Sequence, residues 1–245
     1  MLRNRLGKPG MGFGRPRAVP RTCRGMPLYW GVPATPGQPR IVETMATELR
    51  TARLVLREWR EADVSAFVRM SSVPGFSEHL LTFADQAAAE AWVARRRNHF
   101  ERHGYGPWVV ELAESREFIG CVGLSVVPYE AAFTPAVEIA WRLSKGHRRQ
   151  GYATEAAAAA LADGFERLGL AEIVANTVPH NWPSRRVMER IGMERDETGD
   201  FDHPIVPPGH PLRRQVLYRA RTRRPSPSSQ RGREPRQHGF PHARG

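Results

Sequence analysis

Val137-Glu138-Ile139-Ala140-Trp141-Arg142-Leu143 runs directly into Ser144-Lys145-Gly146-His147 and then into Arg148-Arg149-Gln150-Gly151-Tyr152-Ala153-Thr154-Glu155-Ala156. The first seven residues place apolar side chains at every second position, the pattern of a strand. The middle segment is a short basic loop containing glycine, and the last opens an alanine-rich helix. A helix start offers unpaired backbone N–H groups at the positive end of the helix dipole, so this loop suits a phosphate or pyrophosphate. Gly151 lets the backbone approach such a ligand, and the small Ala153 lets the helix sit close. The spacing matches neither the Gly-x-x-x-x-Gly-Lys-Ser/Thr loop nor the Gly-x-Gly-x-x-Gly loop.

Outward from this stretch the chain alternates between strand and helix patterns. Towards the N-terminus, Arg53–Arg57 reads as a short strand and Glu61 opens a helix through about Met70. Asp85 is a candidate N-cap for a helix to about Arg102, stopped by Gly104-Tyr105-Gly106-Pro107. Strands at Trp108–Leu112 and Phe118–Val127 form a hairpin across Ala113–Arg116. Beyond the Ala136–Leu143 strand come a helix from Gly151 to about Leu168, a strand at Glu172–Val178, a helix from Trp182 to Ile191 and a strand at Gln215–Ala220. A strand–helix–strand unit requires a parallel crossover, whereas the hairpin is antiparallel, so the sheet is expected to be mixed with helices on both faces.

Arg148-x-x-Gly151-x-Ala153 resembles the Arg/Gln-x-x-Gly-x-Gly/Ala signature of the GNAT superfamily of N-acetyltransferases. Asn181-Trp182-Pro183-Ser184 through Ile191-Gly192-Met193 resembles its second signature: an Asn, then Ser or Ala, then a helix ending in Ile/Leu-Gly-Phe/Met. Arg50–Arg57, together with Phe201–Pro204, Gly209–Leu212 and Val216–Tyr218, resembles the branch that contains ribosomal-protein alanine N-acetyltransferases. The likeness covers about residues 47–220. It implies an α/β (α+β) fold whose mixed sheet of six or seven strands splays between the strands at 137–143 and 172–178, with acetyl-CoA in the gap. The coenzyme loop would comprise Arg148, Arg149, Gln150, Gly151, Tyr152, Ala153 and Thr154, the pyrophosphate meeting the amides of Arg149–Ala153. The pantetheine would pair with the strand edge at Trp141, Arg142 and Leu143 as an added strand would, and Asn181 and Ser184 would lie near the thioester.

Acetyl transfer to an amine needs a neutral amine, a stabilised oxyanion and a proton for the departing thiolate. Glu138, on the strand bordering the cleft, is the candidate base; an ion pair to Arg142 or Arg53 accounts for it equally. Many family members place a Tyr seven residues after the motif Asn as the acid, where this chain has Met188. Ser184 with Asn181 is the candidate substitute, although a Ser there also suits a helix cap. Tyr152 reads as packing rather than acid. Trp59, Phe76, His79 and Trp108 are acceptor-pocket candidates that core packing explains as well. The loop carrying His203 and His210 is placed to cover the substrate side, and Arg95-Arg96-Arg97 reads as the solvated face of its helix. No metal site is expected, Cys121 being the one cysteine in this region, on an interior strand.

The 245 residues carry a formal charge of +12, all of it in the two termini. Residues 1–44 hold eight basic residues against Glu43, and residues 221–245 hold seven Arg against Glu234, so residues 45–220 net −1. The first segment also contains seven Pro and seven Gly, and both termini read as disordered extensions flanking one domain at 45–220. Met45-Ala46-Thr47 has the look of an ordinary protein start, which makes residues 1–44 candidate upstream sequence. Two cysteines, Cys23 and Cys121, do not make a disulfide framework. No apolar run approaches the ~20 residues that span a bilayer. The expectation is a cytoplasmic enzyme, monomer or homodimer, with acetyl-CoA and an amine acceptor (a protein N-terminus or a small molecule) as partners. Membrane association is not expected, and nucleic acid only through the basic tails. Two other classes fit the same residues: a non-catalytic CoA-binding sensor or scaffold, suggested by Met188, and a ribosome- or RNA-associated basic protein, suggested by the tails.

Overall fold

The structure, a computed structural model, describes residues 48–81, 83 and 85–222. Both terminal extensions, the disorder expected of them, Met45 and Cys23 lie outside the described residues.

The chain forms β1 (Glu48–Arg50), β2 (Leu54–Arg57), α1 (Glu61–Ser71), α2 (Gln86–His103), β3 (Pro107–Leu112), β4 (Phe118–Val126), β5 (Val137–Leu143), α3 (Tyr152–Glu166), β6 (Glu172–Thr177), α4 (Trp182–Arg190), β7 (Glu194–Asp202) and β8 (Arg214–Arg221), with a 3₁₀ turn at Lys145–His147 between β5 and α3. One open sheet of eight strands runs β1-β2-β3-β4-β5-β6-β8-β7. Every neighbouring pair is antiparallel except β5 and β6, which the α3 crossover makes parallel. The architecture is the mixed α/β one expected.

The sheet exceeds the expected six or seven strands because of β1 and β7. β1 has only three residues. In β7 five of nine residues are acidic, a composition depleted in strands. Its carboxylates are instead matched to arginines of its neighbour: Asp196 accepts from Arg219 Nε at 2.7 Å, and Arg214 lies within 3.6 Å of Asp202. β8 extends to Arg221, one residue past the expected domain end.

Side-chain alternation along β4 puts helices on both faces. Leu124 faces α3, where a Cβ added to Gly164 would sit 2.8 Å from Leu124 Cδ1 and 2.7 Å from Ile173 Cδ1. The glycine lets the helix ride this low without pushing those two side-chain ends aside. Ala156, Ala157 and Ala160 fill the rest of that contact. Cys121 and its cross-strand partner Arg142 lie on the opposite face, beneath Trp92 of α2. There Phe67 and Trp92 stack at 4.7 Å, with Trp59 edge-on to both.

A buried ion cluster fastens the N-terminal elements. Arg57 donates to Asp63 of α1 at 2.7 and 2.9 Å and to Glu111 of β3 at 2.8 Å. The Asp63 bond, aided by Glu111 and working against burial, holds the guanidinium above its ordinary pKa.

The departure from a regular sheet lies between β5 and β6. β4 and β5 pair over seven positions, from Gly120↔Leu143 to Val126↔Val137, while β5 and β6 share the single pair Glu138↔Val174. Past Glu138, β5 has a partner on one side only, and the sheet splays at the place the sequence indicates.

Candidate functional site

At the end of β5 the chain turns through the 3₁₀ segment and enters α3 with two residues in the left-handed region, Arg149 (φ 63°) and Gly151 (φ 84°). Gly151 is the N-cap and has no side chain to cap with, so the first N–H groups of α3, on Tyr152, Ala153 and Thr154, lack a side-chain acceptor. Gly-to-ligand approach is thereby open, while the loop itself is braced from below. Arg53 donates to Gln150 O at 3.1 Å and to Glu155 Oε2 at 2.7 Å, and its guanidinium lies 4.6 Å from the Tyr152 ring centroid. Thr51 Oγ1 donates to Glu155 Oε1 at 2.6 Å. Gln150 Nε2 bonds Gly146 O at 3.0 Å. Tyr152 lies beneath the Arg53 guanidinium, a packing contact.

Arg148, read from the motif as a coenzyme-loop residue, uses its guanidinium on carbonyls: Phe76 O at 3.0 Å, Gly75 O at 3.3 Å and Leu143 O at 3.4 Å. It joins the loop to the segment between α1 and α2.

On the far side of the splay, Asn181 is the N-cap of α4. Its Oδ1 accepts from Ser184 N at 3.3 Å, and its Nδ2 donates to Thr177 Oγ1 at 2.8 Å and Ser184 Oγ at 3.0 Å. Ser184 is therefore the capped residue and Asn181 the cap. Ser184 Oγ also accepts from Trp141 Nε1 at 3.3 Å. With both lone pairs engaged by N–H donors, the hydroxyl proton is left to be donated. The Trp141 side chain thus crosses the gap, a contact that a backbone-edge reading of β5 could not contain.

Glu138 sits where the two strands part. Ser125 Oγ is 3.4 Å from its Oε1 and Asn176 Nδ2 is 3.5 Å from its Oε2. It pairs with neither Arg142 nor Arg53, the ion-pair partners considered for it. Burial pushes its carboxyl above the ordinary carboxylate range, against the pull of Arg96, Ser125, Asn176 and Arg142. Asn176 also donates to Tyr129 Oη at 3.2 Å, and the His203 ring packs 4.4 Å from Tyr129, so the β7–β8 loop does reach the network around Glu138. His210 stays out, its Nδ1 accepting from Leu212 N. A cleft of about 200 Å³ is lined by Glu138, Trp141, Arg142, Arg96, Asn181 and Ser184 among others.

Of the aromatic acceptor candidates, Trp108 and Trp59 are core residues, Trp59 Nε1 donating to Pro107 O at 2.7 Å. Phe76 is buried under Arg148. His79 meets His180 edge-to-face at 5.3 Å, linking the α1–α2 segment to the loop before α4. The arginine run divides: Arg97 is exposed and pairs with Glu61 at 2.7 Å, but Arg96 turns inward over the Trp92 ring at 4.4 Å. That corrects the reading of the run as a solvated face. The signal was available, since Arg96 lies four residues from both Trp92 and Phe100, on the buried stripe of α2. Met188, in the place of the usual acid, is buried and lines the cleft.

The family model for the acetyltransferase (GNAT) domain matches residues 53–194. The chain belongs to the GNAT acetyltransferase family. This makes it an N-acetyltransferase by class and agrees with the signatures around Gly151 and Asn181. An acetyltransferase structure from Agrobacterium tumefaciens is 30% identical with a TM-score of 0.59, covering 76% of this GNAT chain and 100% of that one. The uncharacterized N-acetyltransferase YnaD of Bacillus subtilis is 29% identical over 66% of the chain and 89% of its own length. The FsC-acetyl coenzyme A-N(2)-transacetylase of Aspergillus fumigatus is 37% identical over 43% of the chain and 46% of its own length. In fold alone, the chain is also similar to the RimL ribosomal L7/L12 α-N-protein acetyltransferase in complex with coenzyme A, at 18% identity and a TM-score of 0.58 over 70% of this chain and 95% of that one. Among the described residues no helix is long and apolar enough to cross a membrane.

Proposed function

We propose that the splay between β5 and β6 binds acetyl-CoA and that its inner end transfers the acetyl group to a primary amine, on a protein N-terminus or a small molecule. The observation carrying this reading is the convergence on one gap of an uncapped helix start at Gly151, an unpaired strand edge at Trp141–Leu143 and the Ser184–Asn181–Trp141 hydrogen-bond set. The free amides of Tyr152, Ala153 and Thr154, with the turn of Arg149 and Gln150, fit a pyrophosphate. The unpaired β5 edge fits the amide-bearing pantetheine arm. Bound there, acetyl-CoA supplies an activated acetyl thioester.

The residues of the chain then have three tasks. Glu138 accepts a proton from the incoming ammonium or amine, its raised pKa bringing its basicity nearer to neutrality. Ser184 holds its hydroxyl proton toward the gap, ready for the sulfur. Asn181 fixes the Ser184 rotamer while capping α4. In balance, from the neutral amine an N–C bond forms, the C–S bond breaks, Glu138 takes one proton from nitrogen, Ser184 gives one to the thiol and the proton on Glu138 returns to Ser184 through solvent; an ammonium first loses one further proton to water. The buried free thiol of Cys121 suits a reducing setting, and we place the reaction in the cytoplasm.

The test is release of free thiol from acetyl-CoA in the presence of amine panels: N-terminal peptides, amino acids, polyamines and aminoglycosides. Amine-dependent release is the expected result. A melting-temperature shift with acetyl-CoA but no release with any amine would favour the sensor reading instead.

A further inference from the structure

Two guanidinium groups stand in the cleft that neither the coenzyme loop nor the transfer step uses. Arg96 of α2 and Arg142 of β5 lie over the same Trp92 ring, at 4.4 and 5.1 Å from its centroid, and Arg142 is also 5.8 Å from the Phe83 centroid. These cation–π contacts hold both groups in place. Arg96 Nε and Arg142 Nη1 are shut off from solvent and have no hydrogen-bond partner among the described residues. A buried donor left without an acceptor is costly, more so on a charged group. Such donors are retained where an acceptor arrives with a ligand.

The surrounding groups do not provide that acceptor. Glu138 takes its hydrogen bonds from Ser125 and Asn176, and no ion pair among the described residues joins it to either guanidinium. Cys121, close to both, has its thiol pushed up to about 11 by burial, so it brings no negative charge at neutral pH. Burial lowers Arg96 to about 10, with Glu138 opposing, which leaves it cationic. Arg96 and Arg142, with Arg95 also acting on Arg96, outnumber Glu138 as the one carboxylate acting on Arg96, so this end of the cleft is rich in positive charge.

We propose that the acceptor is a small amino acid, a molecule in which the reacting amine sits close to a free carboxylate, and that Arg96 and Arg142 hold that carboxylate while Glu138 faces the amine. A carboxylate offsets the excess positive charge, and the planar fork of Arg suits it. The size agrees: about 200 Å³ is below the ~300–1,000 Å³ of sites for drug-sized ligands. A protein N-terminus fits less well, because its first residue has its carboxyl in a peptide bond.

This inference rests on the acetyl-transfer reading, so binding and turnover are measured separately on the full chain. Turnover compares free L-amino acids with their carboxamides and with short neutral peptides, all with acetyl-CoA. The expected kcat/KM favours the best amino acid over its carboxamide by about 10- to 100-fold, the scale of one or two charge-assisted hydrogen bonds. Arg96→Leu and Arg142→Leu, measured per folded molecule, bring that ratio towards one. Binding is read with coenzyme A saturating: the same amino acid raises the melting temperature, its carboxamide does not, and Arg142→Leu abolishes the difference. Amides or peptides that bind and react as well as the amino acids, or a ratio untouched by both substitutions, would overturn the proposal. Amino acids that bind through the two arginines without being acetylated would uphold the carboxylate site and refute acetyl transfer.

Discussion

Substitutions at Gly151 separate backbone strain from ligand contact. Its φ of 84° is one that a residue with a Cβ adopts at a cost of about 1–2 kcal/mol. The added Cβ of Gly151→Ala would lie 3.3 Å from Arg53 Nη2, the far end of a side chain that can shift by a few tenths of an ångström. The ligand-free loss is therefore mainly the strain, a fall in melting temperature of roughly 2–8 °C. Gly151→Asp carries the same strain, but its carboxylate meets Arg53 and can cap the N–H groups of α3, so without ligand it is no less stable than Gly151→Ala. With ligand the order changes. At acetyl-CoA one hundred times its dissociation constant, binding stabilises the wild type by ~2.7 kcal/mol, or roughly 5–10 °C. Gly151→Ala keeps part of that shift, whereas Gly151→Asp fills the anion position with its own charge and shows none. Thermal melts over an acetyl-CoA titration read all three proteins. A wild-type shift in Gly151→Asp refutes the placement of the pyrophosphate at this helix start.

Glu138→Gln is expected to lower turnover about 10²-fold at neutral pH, with the loss shrinking at high pH as free amine becomes abundant. Because burial raises this carboxyl pKa, the folded state holds the proton more tightly than the unfolded one. Stability is thus lost as pH rises through the folded pKa, and the Gln variant should melt higher at pH 7; full activity across the pH range would remove Glu138 from the mechanism. Ser184→Ala should reduce kcat more than CoA affinity with little change in melting temperature, whereas Asn181→Ala also removes the α4 cap, costing about 0.5–2 kcal/mol. A Ser184→Ala protein that melts lower yet turns over normally per folded molecule would make Ser184 purely structural. His99, whose Nδ1 bonds Tyr105 O at 2.8 Å and whose Nε2 accepts from Val126 N at 3.1 Å, is lowered to about 4 by burial. Its neutral form is the folded one, so stability falls as pH drops from about 6.5 to about 4; denaturant midpoints across that range should show a shallower slope in His99→Gln than in wild type. Residues 45–222 alone should match the full chain in melting temperature and acetyl-CoA shift, and a large loss of either would mean that a terminal extension docks on the domain.

The helix after β5 was readable because its determinants are local: a glycine at the cap position and alanines along the face that meets the sheet. Asp85 capping α2 through Ala88 N at 2.8 Å is legible for the same reason. β7 was not readable, since its acidic residues are stabilised by arginines of β8 that are adjacent only after folding. Arg96 shows how the site escaped in part. Its position on the buried stripe of α2 was implicit in the spacing from Trp92, but three consecutive arginines look alike until the helix phase is fixed. The roles of Arg148 and Trp141 depend on partners at Phe76 and Ser184, more than forty residues away in each case, and motif spacing holds no information about such pairings.

The sheet has two outer edges and one inner one, and they differ in how they treat other polypeptide chains. β1 spans three of the described residues, and in β7 Asp196, Asp200 and Asp202 are held by arginines while Glu194 and Glu197 add charge to the outer edge. Charged side chains on an outer strand such as β7 discourage the edge-to-edge growth that leads open sheets into fibrils. On the proposed reading, the hydrogen-bonding capacity left over along β5 past Glu138 is turned inward, towards the pantetheine arm of acetyl-CoA. The same backbone valence that would be an aggregation hazard at the rim would, in that reading, serve as a binding surface in the interior.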